Sequence, residues 1–247
     1  MTAARTTAIM QPYFLPYLGY FQLIAAVDVF VVYDDIKYTK KGWINRNRLL
    51  QNGRPAVFSL PLRHASDALD VRDRELAAGF RRDKLLNKVA GAYGRAPFFA
   101  PTFALFEELV RFDDRSLFGF IEHSLRRTCA HLGIATEVRR ASEVAAHRSL
   151  KGQDKVLALC EAVGTATYVN PIGGVALYSP DAFARRGIAL RFLRPLPFEY
   201  AQFGDPFVPW LSILDVLMFN PLETVRERLS AGYELVEGEA AAGAGPD

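Results

Sequence analysis

The sequence predicts an α/β protein built on a parallel sheet, and three observations carry that prediction. Residues 6 to 33 run strand, loop, helix, strand; the same alternation resumes after residue 135; and the stretch between has helical spacing. Residues 6 to 10 form the first strand, ended by Gln11 and Pro12. Residues 18 to 26 are apolar almost all round, as in a buried helix. Residues 29 to 33, Val-Phe-Val-Val-Tyr, are the β-branched and aromatic run of a strand covered on both faces. A unit of this kind implies a parallel pair and a right-handed crossover.

Residues 47 to 51 and 54 to 60 flank Asn52-Gly53, a strong hairpin signal. Leu86, Val89 and Tyr93 keep helical spacing, as do Leu117, Ile121, Leu125 and Cys129. Asp114 is placed to cap the second of these helices at its start, and Gly133 at its end. A strand follows at 136 to 139. Val156, Leu159, Cys160 and Val163 mark one helix face, strands follow at 167 to 170 and 188 to 192, and Ser179-Pro180 opens a helix between them. Further helices cover 212 to 219 and 221 to 229. The expected organisation is one α/β domain over residues 1 to 235, with a helical insertion near 78 to 133. Residues 236 to 247, mostly Ala and Gly, have nothing to bury and form a disordered tail.

The chain has 247 residues, 50% hydrophobic and 23% charged, which suits a globular protein with a sizeable core. Its net charge of +3 does not demand a nucleic-acid partner, although local clustering can still matter. Cys129 and Cys160, the only cysteines, form no CxxC pair and fall on apolar helix faces, as buried reduced thiols do. No charged leader and no membrane-length apolar run is present, so a cytoplasmic protein without membrane contact is expected. Phosphate-loop, dinucleotide and HExxH motifs are absent. His64, His123, His131 and His147 are scattered, and neither a metal site nor a cofactor is expected.

Three segments carry the candidate chemistry. The loop from Gln11 through Tyr13, Tyr17, Gly19 and Tyr20 follows the first strand, and ligands of parallel sheets bind outside the carboxyl ends of strands. Its aromatics either form a stacking wall or pack in the core, the reading preferred for Phe14. Asp34-Asp35 ends the second strand; these carboxylates bind a divalent cation, hold a sugar or amine, act as acid and base, or merely cap a turn. Between Ile36 and Ser66 stand seven basic residues (Lys37, Lys40, Lys41, Arg46, Arg48, Arg54, Arg63) and no acid. Within that run Trp43, Asn45, Arg46 and Asn47 add an aromatic plane, two amides and a guanidinium, a set suited to a phosphate or carboxylate. Weaker candidates are Lys151 and Asp154 at a helix start, Asn170 at a strand end, and the polar Tyr200, Gln202, Ser212 and Asp215 among apolar neighbours.

The segment Met10-Gln11-Pro12-Tyr13-Phe14-Leu15-Pro16-Tyr17-Leu18-Gly19-Tyr20-Phe21 resembles the opening of the WbqC-like family. So do Val32-Tyr33-Asp34-Asp35, Lys41-Gly42-Trp43-Ile44-Asn45-Arg46-Asn47, Lys151-Gly152-Gln153-Asp154 and Leu211-Ser212-Ile213-Leu214-Asp215. The resemblance implies biosynthetic work in bacterial surface-polysaccharide (O-antigen) or natural-product gene clusters, on an activated sugar, amino or acyl substrate. A more distant similarity to the HIGH-type nucleotidyltransferases, pantothenate synthetase and class I aminoacyl-tRNA synthetases implies a Rossmann-like, HUP-type fold. There, a His-x-Gly-His loop holds the phosphates of ATP; here Tyr17-Leu18-Gly19-Tyr20 takes its place. Tyrosine donates a hydrogen bond but carries no positive charge near neutral pH.

The expected function is therefore a transferase that joins an acyl or aminoacyl group to an amine. Asp34, Asp35 and Tyr17 would be its catalytic groups, and an anionic donor, possibly aminoacyl-tRNA, would lie on the basic loop. The alternatives are glycosyl transfer with a metal on Asp34 and Asp35, or metabolite binding without catalysis.

Overall fold

The structure is a computed structural model and describes residues 4–144, 149–204 and 206–237. His147 and the tail from Gly238 lie outside the described residues. A six-stranded sheet has the order β5-β2-β1-β6-β7-β8, with β1 at Arg5–Met10, β2 at Val29–Val32, β5 at Glu137–Arg140, β6 at Thr165–Pro171, β7 at Ala189–Pro195 and β8 at Tyr233–Val236. The first five strands in that order pair in parallel, and β8 runs antiparallel at the edge. The chain leaves β1 on one side for β2 and β5, then crosses to β6 and β7 on the other. This is the order of a doubly wound, Rossmann-like sheet.

Strand pleating explains why the sheet is covered twice. Ala8, Phe30 and Val32 join one core, while their neighbours Ile9, Val29 and Val31 join another. Successive side chains point to opposite faces, so a continuous apolar strand needs helices on both sides. The first face is covered by α1 (Leu18–Ala25), α4 (Leu117–Leu132), α8 (Ile213–Phe219) and α9 (Leu222–Ala231). The second is covered by α6 (Gly152–Val163) and α7 (Pro180–Ala184), through Leu159, Cys160 and Phe183.

The excursion from β2 to β5 begins with a hairpin, β3 (Arg46–Gln51) and β4 (Arg54–Ser59), and continues through α2 (Arg82–Tyr93), α3 (Phe99–Arg111) and α4. Asn52 and Gly53 have φ of 53° and 70°, the two positive values that a type I′ turn requires. The start of α4 corrects the sequence expectation. Ser116, not Asp114, is its N-cap: the Ser116 hydroxyl accepts from the Gly119 N–H at 3.1 Å. Asp114 instead accepts the Ser116 N–H at 2.8 Å, shaping the turn before the helix. Gly133 ends the helix at φ 77°, as expected.

The edge strand β8 was not foreseen. Its four residues are half-exposed and mixed in polarity, so they present no periodic signal. Among the described residues, no helix is long and apolar enough to cross a membrane.

Candidate functional site

The loop after β1 is held from three directions. The Phe14 N–H donates to the Ile44 carbonyl at 3.0 Å. The Asn47 amide donates to the carbonyls of Phe14 and Leu15 at 3.2 and 2.8 Å, and the Ser212 hydroxyl donates to that of Leu15 at 2.7 Å. These bonds fix Leu15 at φ 47°, a left-handed conformation that costs a side-chain-bearing residue about 1–2 kcal/mol. Tyr20, fully buried, donates to the Gln11 carbonyl at 2.7 Å. Gly19 is required by close approach, since a Cβ there would lie 2.6 Å from Tyr17 Cε2 and 3.1 Å from Pro195 Cγ.

The amides of the basic loop face inward for the same reason. Asn45 donates to the Leu60 carbonyl at 2.7 Å and accepts from Tyr38 at 2.8 Å. The Arg46 guanidinium donates to the carbonyls of Gly42 at 2.8 Å and Lys41 at 2.5 Å, closing its own loop. Lys41 is exposed. Asn45, Asn47 and Leu49 share the buried face of the extended chain, with Arg46 and Arg48 on the other.

The two carboxylates, in a bend just after β2, do not converge, and each is taken by a different partner. Asp34 is buried and accepts from the Ser142 N–H at 2.9 Å and the Ser142 hydroxyl at 2.5 Å, at the start of the short helix α5 (Ala141–Val144). Asp35 pairs with the Lys155 ammonium at 2.8 Å, and Lys155 also lies 4.9 Å from the centre of the Tyr33 ring. Among the described residues, no group of three or more His, Cys, Asp or Glu side chains is arranged to hold a metal ion.

Two hollows open near the carboxyl ends of β1 and β2, strands joined by the Tyr33 N–H to the Met10 carbonyl at 2.9 Å. The larger, about 650 Å³, lies between the end of β2, the start of α6 and the segment after β6. Its charged lining is Lys37, Arg72, Lys151 and Lys155 against Asp35 and Asp70. Both carboxylates are matched within it, Asp35 by Lys155 and Asp70 by Arg72 at 3.8 Å. Lys37 and Lys151 are exposed and make no ion pair among the described residues. The first turn of α6 adds backbone N–H groups and the positive end of the helix dipole.

The smaller hollow, about 250 Å³, is lined by Tyr13, Tyr17, Trp43, Asn47, Arg48 and Trp210. The Tyr17 and Trp210 rings meet edge to face at 5.9 Å. Burial raises the phenol of Tyr13, pushes that of Tyr17 up to about 12, and raises that of Tyr20 well above its ordinary value. The tyrosines of the first loop are thus neutral donors at any physiological pH.

The sequence candidates accordingly divide. Asp35 and Lys151 line the cleft; Tyr13, Tyr17, Trp43 and Asn47 line the hollow. Gln11, Gly19, Tyr20, Asp34, Lys41, Asn45, Arg46, Asp154 and Asn170 line neither. Asp154 is exposed in the first turn of α6, and Asn170 is buried with its amide on the Pro171 carbonyl at 3.0 Å. Lys37 in the cleft and Arg48 in the hollow belong to the basic run, and Lys155 follows the Lys151–Asp154 helix start, whereas Arg72 and Trp210 lie outside every candidate segment.

Arg72 reaches the cleft because the segment after β2 pairs with distant chain: Val71 N–H donates to the Ile36 carbonyl at 2.8 Å. Trp210 is placed by a buried polar hub. Asp215 accepts from Tyr93 at 2.8 Å, Tyr200 at 2.7 Å and Gln202 at 2.8 Å, and Gln202 in turn accepts the Val208 N–H at 2.9 Å. Ser212 then caps α8.

A protein of Mycobacterium tuberculosis (strain ATCC 25618 / H37Rv), the uncharacterized protein Rv1507c, is 29% identical over 226 residues, covering 87% of this chain and 94% of its own. No solved structure matches the chain. The WbqC-like protein family matches residues 11–227, which include the first loop, both hollows and the Asp215 hub, and the chain belongs to that family.

Proposed function

We propose that this protein is a transferase of polysaccharide or natural-product biosynthesis, joining an acyl or aminoacyl group to an amine. The observation that carries this reading is the cleft at the carboxyl edge of the sheet, where two exposed lysines stand beside a helix start and the carboxylates are already matched. Such a surface suits an anion. Lys37, Lys151 and the N–H groups of α6 hold the phosphate or carboxylate of the donor. The acceptor amine approaches Asp35, gives up a proton to it, and attacks the acyl carbon. A C–N bond forms as the bond to the donor oxygen or sulfur breaks, and that atom leaves with the electron pair. In an acyl phosphate the charge falls on the anion held by the lysines; in a thioester or ribose ester the proton collected by Asp35 passes to the departing sulfur or oxygen. Neutral tyrosines in the first loop favour this chemistry over ATP cleavage, since they offer no charge to a triphosphate.

The test has two parts. Inorganic pyrophosphate and an acyl-coenzyme A should raise the melting temperature, and the double variant Lys37→Ala/Lys151→Ala should abolish that shift. Acyl phosphates, acyl-coenzyme A and aminoacyl-tRNA, each offered with hydroxylamine as a generic amine, should then be screened for hydroxamate. Binding without hydroxamate from any donor supports metabolite binding without catalysis, a reading favoured by the close pairing of Asp35 with Lys155. Chelator-sensitive transfer from a nucleotide sugar would replace the proposal with glycosyl transfer.

A further inference from the structure

The smaller hollow has features of a binding site that the transferase reading does not use. The chain contains two tryptophans, and both line it. Each is unusually open for its size: Trp43 is 37% exposed and Trp210 is 55% exposed. Trp210 is also held at φ 59°, a conformation that bulky residues avoid. Backbone strain of this kind persists only where the surroundings impose it, and here the Asp215 hub and the capping Ser212 fix the segment on either side. The fold thus holds a large apolar ring toward solvent at a cost. Tyr13 and Tyr17 complete an aromatic wall.

One polar group in the wall lacks a counterpart. The Arg48 guanidinium lies 5.1 Å from the Trp43 ring centre, makes no ion pair among the described residues, and has its Nε buried without a hydrogen-bond partner. The Asn47 amide, by contrast, is occupied by the first loop. These facts select among guests. A cation is repelled by Arg48. A planar ring finds stacking surfaces, and an acidic substituent on it finds the guanidinium. The volume, about 250 Å³, falls below the roughly 300–1,000 Å³ usual for a whole drug-sized ligand, so a single ring system fits.

We infer that the hollow formed by Tyr13, Tyr17, Trp43, Arg48 and Trp210 binds a planar ring bearing an anionic group, stacked on the indoles with its acid on Arg48. A nucleoside monophosphate and an aromatic carboxylate share this chemistry. The inference does not depend on the transferase reading and survives its failure.

Because both indoles line the hollow, intrinsic tryptophan fluorescence reports on it directly. Titration with the four nucleoside monophosphates and with 4-hydroxybenzoate, corrected for ligand absorbance, should give saturable quenching by at least one; which class quenches identifies the source of the ring. The matching uncharged nucleoside, inorganic phosphate and choline should bind at least about tenfold more weakly. Arg48→Gln should weaken binding by a similar factor while keeping the wild-type circular dichroism. The variants Trp43→Phe and Trp210→Phe, each retaining one indole, should both still report quenching. No quenching by any acid-bearing ring, equal quenching by the uncharged nucleoside, an unchanged Arg48→Gln, or silence of either single-tryptophan variant would overturn the inference.

Discussion

Replacing Asn47 by alanine separates a positioning role from a ligand-binding one. Asn47 is buried, and its side chain makes three hydrogen bonds: to the Phe14 and Leu15 carbonyls and from the Arg48 N–H. A buried hydrogen bond contributes about 1 kcal/mol net, so losing three removes about 3 kcal/mol. The Leu15 carbonyl keeps its bond from Ser212, but the Phe14 carbonyl is left in a buried site without this partner. The strained Leu15 also loses one of its restraints. A chain of this size loses roughly 2–4 °C of melting temperature per kcal/mol, which places the expected drop near 6–12 °C. Urea unfolding followed by far-ultraviolet circular dichroism measures the effect as a lower midpoint at unchanged slope. A loss under about 1 kcal/mol would refute the reasoning, since it would mean that the loop stands without this amide and leaves it available to a ligand.

Asp215 supplies a pH dependence. Burial raises its carboxyl above the ordinary value, against hydrogen bonds from Tyr200, Tyr93 and Gln202 that lower it. A group whose folded value is raised contributes its full stability below the unfolded value, near about 3.9, and loses it as pH rises through the folded value. The stability of the wild type relative to Asp215→Asn should therefore fall as pH increases above about 4, and urea midpoints across that range would show a flat difference if the carboxyl were not raised. Burial pushes the thiols of Cys129 and Cys160 up to about 12, so neither should react with a disulfide reagent at pH 8 until the protein unfolds. Labelling of the native protein at the rate of a free thiol would contradict that placement. Gly19→Ala forces the Tyr17 ring to shift, at about 1–3 kcal/mol, and should alter near-ultraviolet circular dichroism through the Tyr17–Trp210 contact; an unchanged spectrum would place that ring pair elsewhere.

What could be read from the sequence follows from the range of the interactions involved. The strand at residues 29 to 33 was legible because a short β-branched and aromatic run suits a doubly covered strand, and that at residues 6 to 10 because it opens a strand–helix–strand alternation; the two cores at Ala8 and Ile9 and at Phe30 and Val31 realise both. The hairpin was legible because Asn52-Gly53 must take two positive φ angles. The roles of Asn45 and Asn47 were less so. Their type suggests a ligand, but on the same face stands Leu49, fully buried, and that alternation already points both amides inward. Arg72 and Lys155 lie far along the chain from Asp35 and reach the same cleft only through tertiary pairing, for which no local pattern exists.

The same reasoning explains why the polar residues of the first fifty positions serve the site without all lining it. A loop that leaves a parallel strand exposes carbonyls that no neighbouring strand can satisfy, and buried carbonyls require donors. Asn47 and Ser212 supply them from β3 and from the start of α8, so the hairpin and the last helices are tied to one loop. Arg48 leaves β3 beside Asn47, on the opposite face, and its N–H donates to the Asn47 side chain at 2.8 Å. Trp210 precedes Ser212 by two residues. The amide and the hydroxyl that fix the loop thus also fix the guanidinium and the indole that line the smaller hollow. A substitution at Asn47 or Ser212 should consequently weaken ring binding even though the hollow keeps all of its aromatic side chains, whereas Arg48→Gln should weaken binding without lowering stability. If Asn47→Ala lowered stability yet left the fluorescence titration intact, the hollow would be organised independently of the loop, and the coupling inferred from these shared bonds would be wrong.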